Sequence, residues 1–420
     1  MSSIDWILVA VWGTSSIVWV EIVRDLNHAL AHVWQPLGRL HNWHHRVFRP
    51  DLTPVSEAIY CQAQWRNDLP ESLIMLTASA LFWGLVFSVS PHVHWAAFAG
   101  SLYSLSFLLG AISRGMGWKW AQETDLTHMP GPFPSPPSHW FVNRPYHWRH
   151  HFDDQNAYFC GALTFVDRAM GTALSLKGKT VAVTGASGSL GTGLLKHLHL
   201  AGAKVIALTS SDREIVLDLN SESHTTKTIK WQVGRESDLA ELFENVDILV
   251  LNHGINVHGA RTPEAIEQSF EVNAFSSWRL MEQFLQTVKT NRDMVCKEVW
   301  VNTSEAEVSP AFSPLYELSK RTLGDLVTMR RLDAPCIVRK LILGPFKSNL
   351  NPIGIMSADR VARKIVRLAK SDTRNIIVTI NPLTGILLPV KEFFVSWYFR
   401  WFSRSQTALK TVETSKSKSS

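Results

Sequence analysis

The sequence predicts two fold classes in one chain. The N-terminal half reads as an all-α domain embedded in a membrane, and the C-terminal half as a doubly wound parallel α/β sheet with an interfacial helix at its end. Three observations predict this. Long apolar, charge-poor runs lie only in the first half. Twelve of the 17 histidines and twelve of the 17 tryptophans fall before residue 152. After residue 176 an apolar strand, a glycine-rich turn, a helix and a second apolar strand follow in order, the pattern of a βαβ unit.

The spans come first in the chain. Trp6–Val23 is long enough to cross a bilayer, and no basic segment precedes it, so a cleaved leader is not expected. Ser72–Ser90 and Val93–Ser113 are separated by only two residues and read as a hairpin. No lysine or arginine lies between Ser72 and Ser113, whereas Arg24, Arg39, Arg46, Arg49 and Arg66 precede that stretch and Arg114 and Lys119 follow it. The positive-inside rule then puts residues 24–71 and everything after 114 on the cytoplasmic side of a multi-pass membrane protein.

Bulk composition narrows the function. A net charge of +6 without basic–aromatic clusters argues against nucleic acid as a partner. Cys61, Cys160, Cys296 and Cys336 are scattered, with no CxxC pair, which suits a reducing compartment.

The histidines form sets. His28 and His32 make HxxxH; His41, His44 and His45 make HxxHH; His147, His150 and His151 make a second HxxHH. On a helix, positions i, i+3 and i+4 share a face, so each set aims two or three imidazoles at one point. All three sets fall on the predicted cytoplasmic side. Eight clustered imidazoles suit two transition-metal ions. His92 and His94, at the hairpin tip, read as interfacial residues. These motifs, followed by Gly161 and a D-R-x-x-G-T close (Asp167, Arg168, Gly171, Thr172), resemble the fatty acid hydroxylase/sterol desaturase superfamily over about residues 15–172. The resemblance implies an all-α integral membrane di-metal domain holding two non-haem irons. It adds His128 as an upstream ligand, with His139 as a further candidate, since Pro132 stands where another histidine would fall. The proline-rich stretch 129–140 cannot be helical and is expected to loop over the site or its mouth.

In the second half, Thr184-Gly185-x-x-Gly188-x-x-Gly191 lies between strand and helix, where glycines let a pyrophosphate approach a helix N-terminus. Further on come Asn252-His253-Gly254 after a buried strand, Asn273, Ser304 at a strand end, and Tyr316 and Lys320 one helical turn apart. Together these resemble the short-chain dehydrogenase/reductase family over about residues 176–370, which implies a Rossmann domain. The resemblance makes Tyr316 the acid/base, Lys320 the residue that lowers its pKa and holds the nicotinamide ribose, Ser304 the carbonyl-polarising hydroxyl and Asn273 a relay support. Thr184, Gly185, Gly188, Gly191, Asn252, Gly254 and Lys320 would hold the cofactor. The family's NAG reads NHG here, and Thr303 occupies the usual spacing for the serine, with Ser304 beside it. The second strand ends in Thr209-Ser210-Ser211-Asp212-Arg213; hydroxyls with Arg213 favour NADP(H) over NAD(H).

Residues 381–402 mix aromatic and apolar residues with Pro389, Lys391, Glu392 and Arg400, which argues for an amphipathic interfacial helix and against a span. The expected divisions are a membrane domain (1–172), a Rossmann domain (173–380), the interfacial helix (381–404) and a disordered tail (405–420). The whole order resembles proteins of the bifunctional sterol desaturase/short-chain dehydrogenase type. That resemblance implies O2-dependent hydroxylation or desaturation of a bilayer lipid, fed by an external electron donor and coupled to NAD(P)-dependent alcohol/carbonyl interconversion. Two rivals are an aldehyde-processing, hydrocarbon-forming enzyme and a membrane scaffold with a nucleotide-sensing domain.

Overall fold

The computed structural model describes residues 2–219, 222–310 and 312–404, so the expected tail lies outside the described residues. Two compact units meet between Ser175 and Leu176.

The first unit is helical. α1 (Ser3–Ala31) starts at a capping box in which Ser2 and Asp5 satisfy each other's backbone N–H groups. α2 (Gln35–His45) follows with proline in its first turn. α3 (Glu57–Val89) and α4 (His94–Gly115) form the hairpin, and α1, α3 and α4 are each long and apolar enough to cross a membrane. These helices run past the predicted apolar stretches, because backbone hydrogen bonding continues into the polar turns that carry His28 and the 57–71 segment. α1 and α4 cross closely: the Gly100 N–H donates to Ser16 Oγ at 2.9 Å, and a Cβ at Gly100 would lie 2.9 Å from the Ser16 carbonyl oxygen. α3 contains a single π-turn, Gln64–Asp68, which rotates the residues that follow it. α5 (Arg144–Phe152) is capped by the Asn143 side chain, and α6 (Phe165–Met170) ends at Gly171, whose φ of 71° suits glycine.

The second unit is an eight-stranded sheet. Its strands are β1 (Thr180–Thr184), β2 (Lys204–Thr209), β3 (Ile215–Leu219), β4 (Glu222–Lys230), β5 (Ile248–Leu251), β6 (Glu298–Ser304), β7 (Ile337–Leu343) and, after a short pair β8 (Phe346–Lys347) and β9 (Met356–Ser357), β10 (Asn375–Val378). The order is β10-β7-β6-β5-β1-β2-β4-β3, parallel except for β3 against β4. That edge departs from an all-parallel winding: between β2 and β4 the chain makes an antiparallel strand instead of a helical crossover. β3 alternates buried and exposed positions, as a half-covered strand does. α7 (Ser189–Leu200), α8 (Ser276–Leu285), α9 (Pro314–Arg330) and α10 (Ala358–Lys370) cover the sheet.

A buried ion set sits inside β7. Arg339 is fully buried and donates to both Glu298 oxygens at 2.7 and 2.9 Å, with Asp372 at 2.7 Å. Arg339→Met leaves the buried Glu298 without an ion partner and Asp372 with Arg374 alone, at 2.9 Å. We expect a loss of about 3–5 kcal/mol, seen as a fall on the order of 10 °C in the unit's thermal transition.

α11 (Thr384–Phe402) turns two of its charges inward. Lys391 and Glu392 do not face water: Lys391 Nζ meets Glu307 at 2.9 Å and Asp325 at 2.8 Å, and Glu392 meets the buried Lys340 at 2.7 Å. The charges fasten the helix to α9 and β7, and the aromatic face is left outside, with Phe393, Phe394, Trp397, Trp401 and Phe402 exposed.

Candidate functional site

Nine histidines converge in the first unit. His28, His32, His41, His45 and His150 form one group and His44, His128, His147 and His151 another, each with its ligand atoms within 4.8 Å of one another. The groups adjoin, with the His45 and His151 ring centres 5.0 Å apart. α1, α2 and α5 supply eight of these rings or their caps, and a loop supplies His128.

The outer nitrogens fix the rings. His28 Nδ1 donates to the Phe159 carbonyl at 2.6 Å and His150 Nδ1 to the Ala157 carbonyl at 2.8 Å. Both neutral rings then carry bare lone pairs on Nε2, yet these two atoms stand 2.9 Å apart. Two facing lone pairs at that distance call for a cation between them. His41 Nδ1 meets Asn67 Oδ1 at 3.0 Å, and His128 Nδ1 meets Asp125 at 2.7 Å. Burial lowers the pKa of His41 to about 4 and that of His45 to about 3, helped by neighbouring imidazoles, so both are in the neutral form a metal needs. Asp167 holds the frame from behind. It accepts from the Phe159 and Cys160 N–H groups, the Tyr146 hydroxyl and Thr172 Oγ1, which fixes the loop that orients His28. The residues present therefore fit a pair of transition-metal ions.

His139 is not brought to either group. Its Nε2 meets Arg168 at 3.1 Å. Sequence reasoning missed Asn67 and Asp125, because their role depends on which non-local imidazole they face. It also missed Arg24, Glu21, Asp25, Asp68 and Glu71, although ionisable residues at the end of an apolar helix were a signal. A cavity of about 660 Å³ lies over both groups.

The second unit holds a cavity of about 1030 Å³ at the C-terminal ends of the parallel strands. The glycine turn lines it through Gly185, Gly188 and the start of α7, whose N-cap Gly188 has no side-chain partner, so its first N–H groups are free for an anion. The turn has no room for larger residues: a Cβ at Gly191 would stand 2.2 Å from the Gly185 carbonyl oxygen, and Gly185 has φ of 61°. This arrangement fits a dinucleotide. Thr184 lies beneath the turn, receiving the Asn252 N–H at 2.8 Å, and does not line the cavity. His253 packs against it, Nδ1 to Thr184 Oγ1 at 2.9 Å, and edge-on to Trp231; burial and the Lys320 charge lower its pKa to about 3, so the ring is neutral.

Tyr316, Lys320 and Ser304 all face this cavity. Ser304 faces the cavity beside the Tyr316 phenol and eases its pKa, whereas Thr303 Oγ1 turns to the Leu341 carbonyl, which supports Ser304 as the polarising residue. Lys320 Nζ donates to the Asn302 carbonyl at 3.0 Å and lies 6.0 Å from the Tyr316 ring centre. Here the expected lowering of the tyrosine pKa differs: burial pushes the phenol up, eased only by Ser304. Asn273 sits in a π-turn behind the cavity, bonding both polar groups of Ile255, and acts by positioning Gly254 and its neighbours. Arg213 is corrected. It is exposed and does not line the cavity, because the chain turns away after Thr209 into β3; Ser210 remains at the wall.

Burial lowers the Lys320 pKa to about 8, against a raising contribution from Glu307. The ammonium therefore prevails below about pH 8 and is lost above it. We expect turnover of the full chain to fall on the alkaline side with a midpoint near 8; a flat profile to pH 10 would remove Lys320 from the reaction.

The chain is 59% identical over 404 residues, 95% of its own length and 98% of the relative's, to the monoglucosyldiacylglycerol epimerase of Synechocystis sp.. It belongs to that epimerase's family. Within this family member, residues 179–335 match the short chain dehydrogenase family, so the second unit is an oxidoreductase-type domain. A 3-oxoacyl-[acyl-carrier-protein] reductase of Rickettsia bellii is 29% identical over 126 residues, 28% of this chain and 52% of that one. A short chain dehydrogenase from Burkholderia cenocepacia, solved in complex with NADP, aligns with a TM-score of 0.43 at 17% identity, covering 55% of this chain and 100% of that one.

Proposed function

We propose that the chain is a membrane-associated, NAD(P)-dependent epimerase that inverts one hydroxyl-bearing carbon on the sugar of a glycosyl diacylglycerol. The observation that carries this reading is the Tyr316–Ser304–Lys320 set facing one large cavity, in a chain that matches a glycolipid epimerase along nearly its whole length. A bound nicotinamide would accept hydride from the carbinol carbon and return it to the resulting ketone. Tyr316 takes the hydroxyl proton as the C–H bond breaks and gives it back on reduction. Ser304 donates to the oxygen as it becomes a carbonyl. Lys320 holds the ribose and supplies positive charge beside the phenol. Inversion requires the ketone to present its other face, and a cavity of about 1030 Å³ leaves room for that turn. Exposed Phe312, Ile353 and Ile355 at the mouth suit the acyl part of a lipid, and the aromatic face of α11 would lie on the bilayer surface.

The net reaction is redox-neutral, so it needs neither O2 nor an electron donor. The test incubates purified full-length protein anaerobically with glucosyl diacylglycerol, deuterated at the sugar carbinol carbons, and NAD(P)+. Epimer should form with all deuterium kept. Deuterium lost at the inverted carbon, or no epimer, would defeat the reading.

A second reading concerns the first unit and is favoured by the His28–His150 contact. The nine histidines hold two iron ions on the cytoplasmic side of the membrane, which would supply O2-dependent hydroxylation or desaturation of a lipid with electrons from a separate donor. O2 uptake by iron-loaded protein with reductant and lipid tests it; no uptake above the lipid-free rate would sink it.

A further inference from the structure

The cavity over the histidine groups is also lined by charged side chains next to the rings. Arg24, Asp68 and Glu71 line it, together with Arg114 and Asp125. Arg24 is buried, with Glu21 at 2.9 Å and Glu71 at 3.7 Å. The Glu71 side chain is 26% exposed and so opens onto the cavity. Asp68 accepts from Asn67 Nδ2 at 2.7 Å, and the same Asn67 receives His41, so this wall is wired to the ring positions. The π-turn Gln64–Asp68 in α3 rotates Asn67 and Asp68 toward that side, and Gly161 is small because a Cβ there would strike the Arg24 guanidinium.

Hydrocarbon laid on this wall would take water from Asp68 and Glu71, which are partnered by Asn67 at 2.7 Å and the Arg24 guanidinium at 3.7 Å, and that is unfavourable. An anionic headgroup would meet three carboxylates against two guanidiniums. Neutral hydroxyls satisfy both signs: they donate to Asp68 and Glu71 and accept from Arg24. Trp120, exposed at 62% and on the same cavity, offers an apolar face to a sugar ring.

We propose that this cavity receives the glycosyl headgroup of a neutral membrane lipid, and not its acyl chain, with Asp68 and Glu71 as hydroxyl acceptors. The choice of sugar lipid rests on the epimerase reading above; the polarity of the wall does not.

The experiment uses full-length protein in phosphatidylcholine nanodiscs and two glucosyl diacylglycerol photoprobes, one with a diazirine on the sugar and one with it at the acyl tip. The sugar probe should label peptides containing Asp68–Met75 or Trp120–His128. Asp68→Asn/Glu71→Gln should cut that labelling about tenfold or more while labelling at Ser304–Ser313 and the melting temperature stay unchanged. Glu71→Gln alone, measured the same way, replaces the pair if the double variant melts early. Acyl-tip labelling of this wall in place of sugar labelling, or undiminished labelling in the variants, overturns the proposal. Sugar labelling confined to the second unit's cavity overturns it and leaves the epimerase reading standing; no sugar labelling anywhere removes both.

Discussion

Tyr316→Phe will stop epimer formation while leaving the fold and dinucleotide binding in place. The substitution deletes only an oxygen, and the ring keeps its place between Ser304 and Lys320. What is lost is the hydroxyl that stands beside Ser304 and Lys320 to take and return the substrate's proton. Ser304 cannot replace it, since its Oγ also accepts the Ala306 N–H at 3.2 Å. Nor can Lys320, held by the Asn302 carbonyl at 3.0 Å. A positioned acid/base contributes about 10²–10⁴ in rate, so turnover should fall by that factor with dinucleotide affinity changed little. The check is epimer formation beside dinucleotide titration on the same protein. Activity within threefold of the parent would mean that the proton goes elsewhere and that the cavity chemistry has been misassigned.

What the sequence made legible was local. The HxxHH sets could be read because i, i+3 and i+4 share one face whatever surrounds the helix, and the eight histidines of the three sets fall in the two groups with His128, whereas the candidate His139 does not. The glycine turn could be read because its constraints are steric and short-range. Three things were not. The groups that orient His28 and His150 are backbone carbonyls of Phe159 and Ala157, which have no residue signature. Arg213 looked placed for a 2′-phosphate only if a helix followed β2, and the chain instead makes the β3–β4 antiparallel pair. The inward pairing of Lys391 and Glu392 was hidden because their partners, Glu307, Asp325 and Lys340, lie 52 to 84 residues away.

His150→Ala will weaken one metal position and leave the other. Its ring is fully buried, its Nε2 stands 2.9 Å from that of His28 and 3.2 Å from that of His45, and alanine offers no donor in its place. The second group contains no atom of His150. Four imidazoles, His28, His32, His41 and His45, remain in the first group, so iron-loaded protein should release one ion at a lower chelator concentration than the parent does. Asp125→Asn is the graded counterpart: it keeps every ligand but weakens the hold on His128, and should cost the second group about 10–100-fold in affinity. His139→Ala, remote from both groups, should change nothing. Because the first group ties α1, α2 and α5 together, an ion there would also stabilise the fold, and a site held at about 100-fold over its Kd contributes about 2.7 kcal/mol. Chelator should then lower the melting temperature of the parent more than that of His150→Ala. Chelator resistance unchanged in His150→Ala, or an ion lost from His139→Ala, would show that the imidazole clusters do not bind metal in the way their geometry argues.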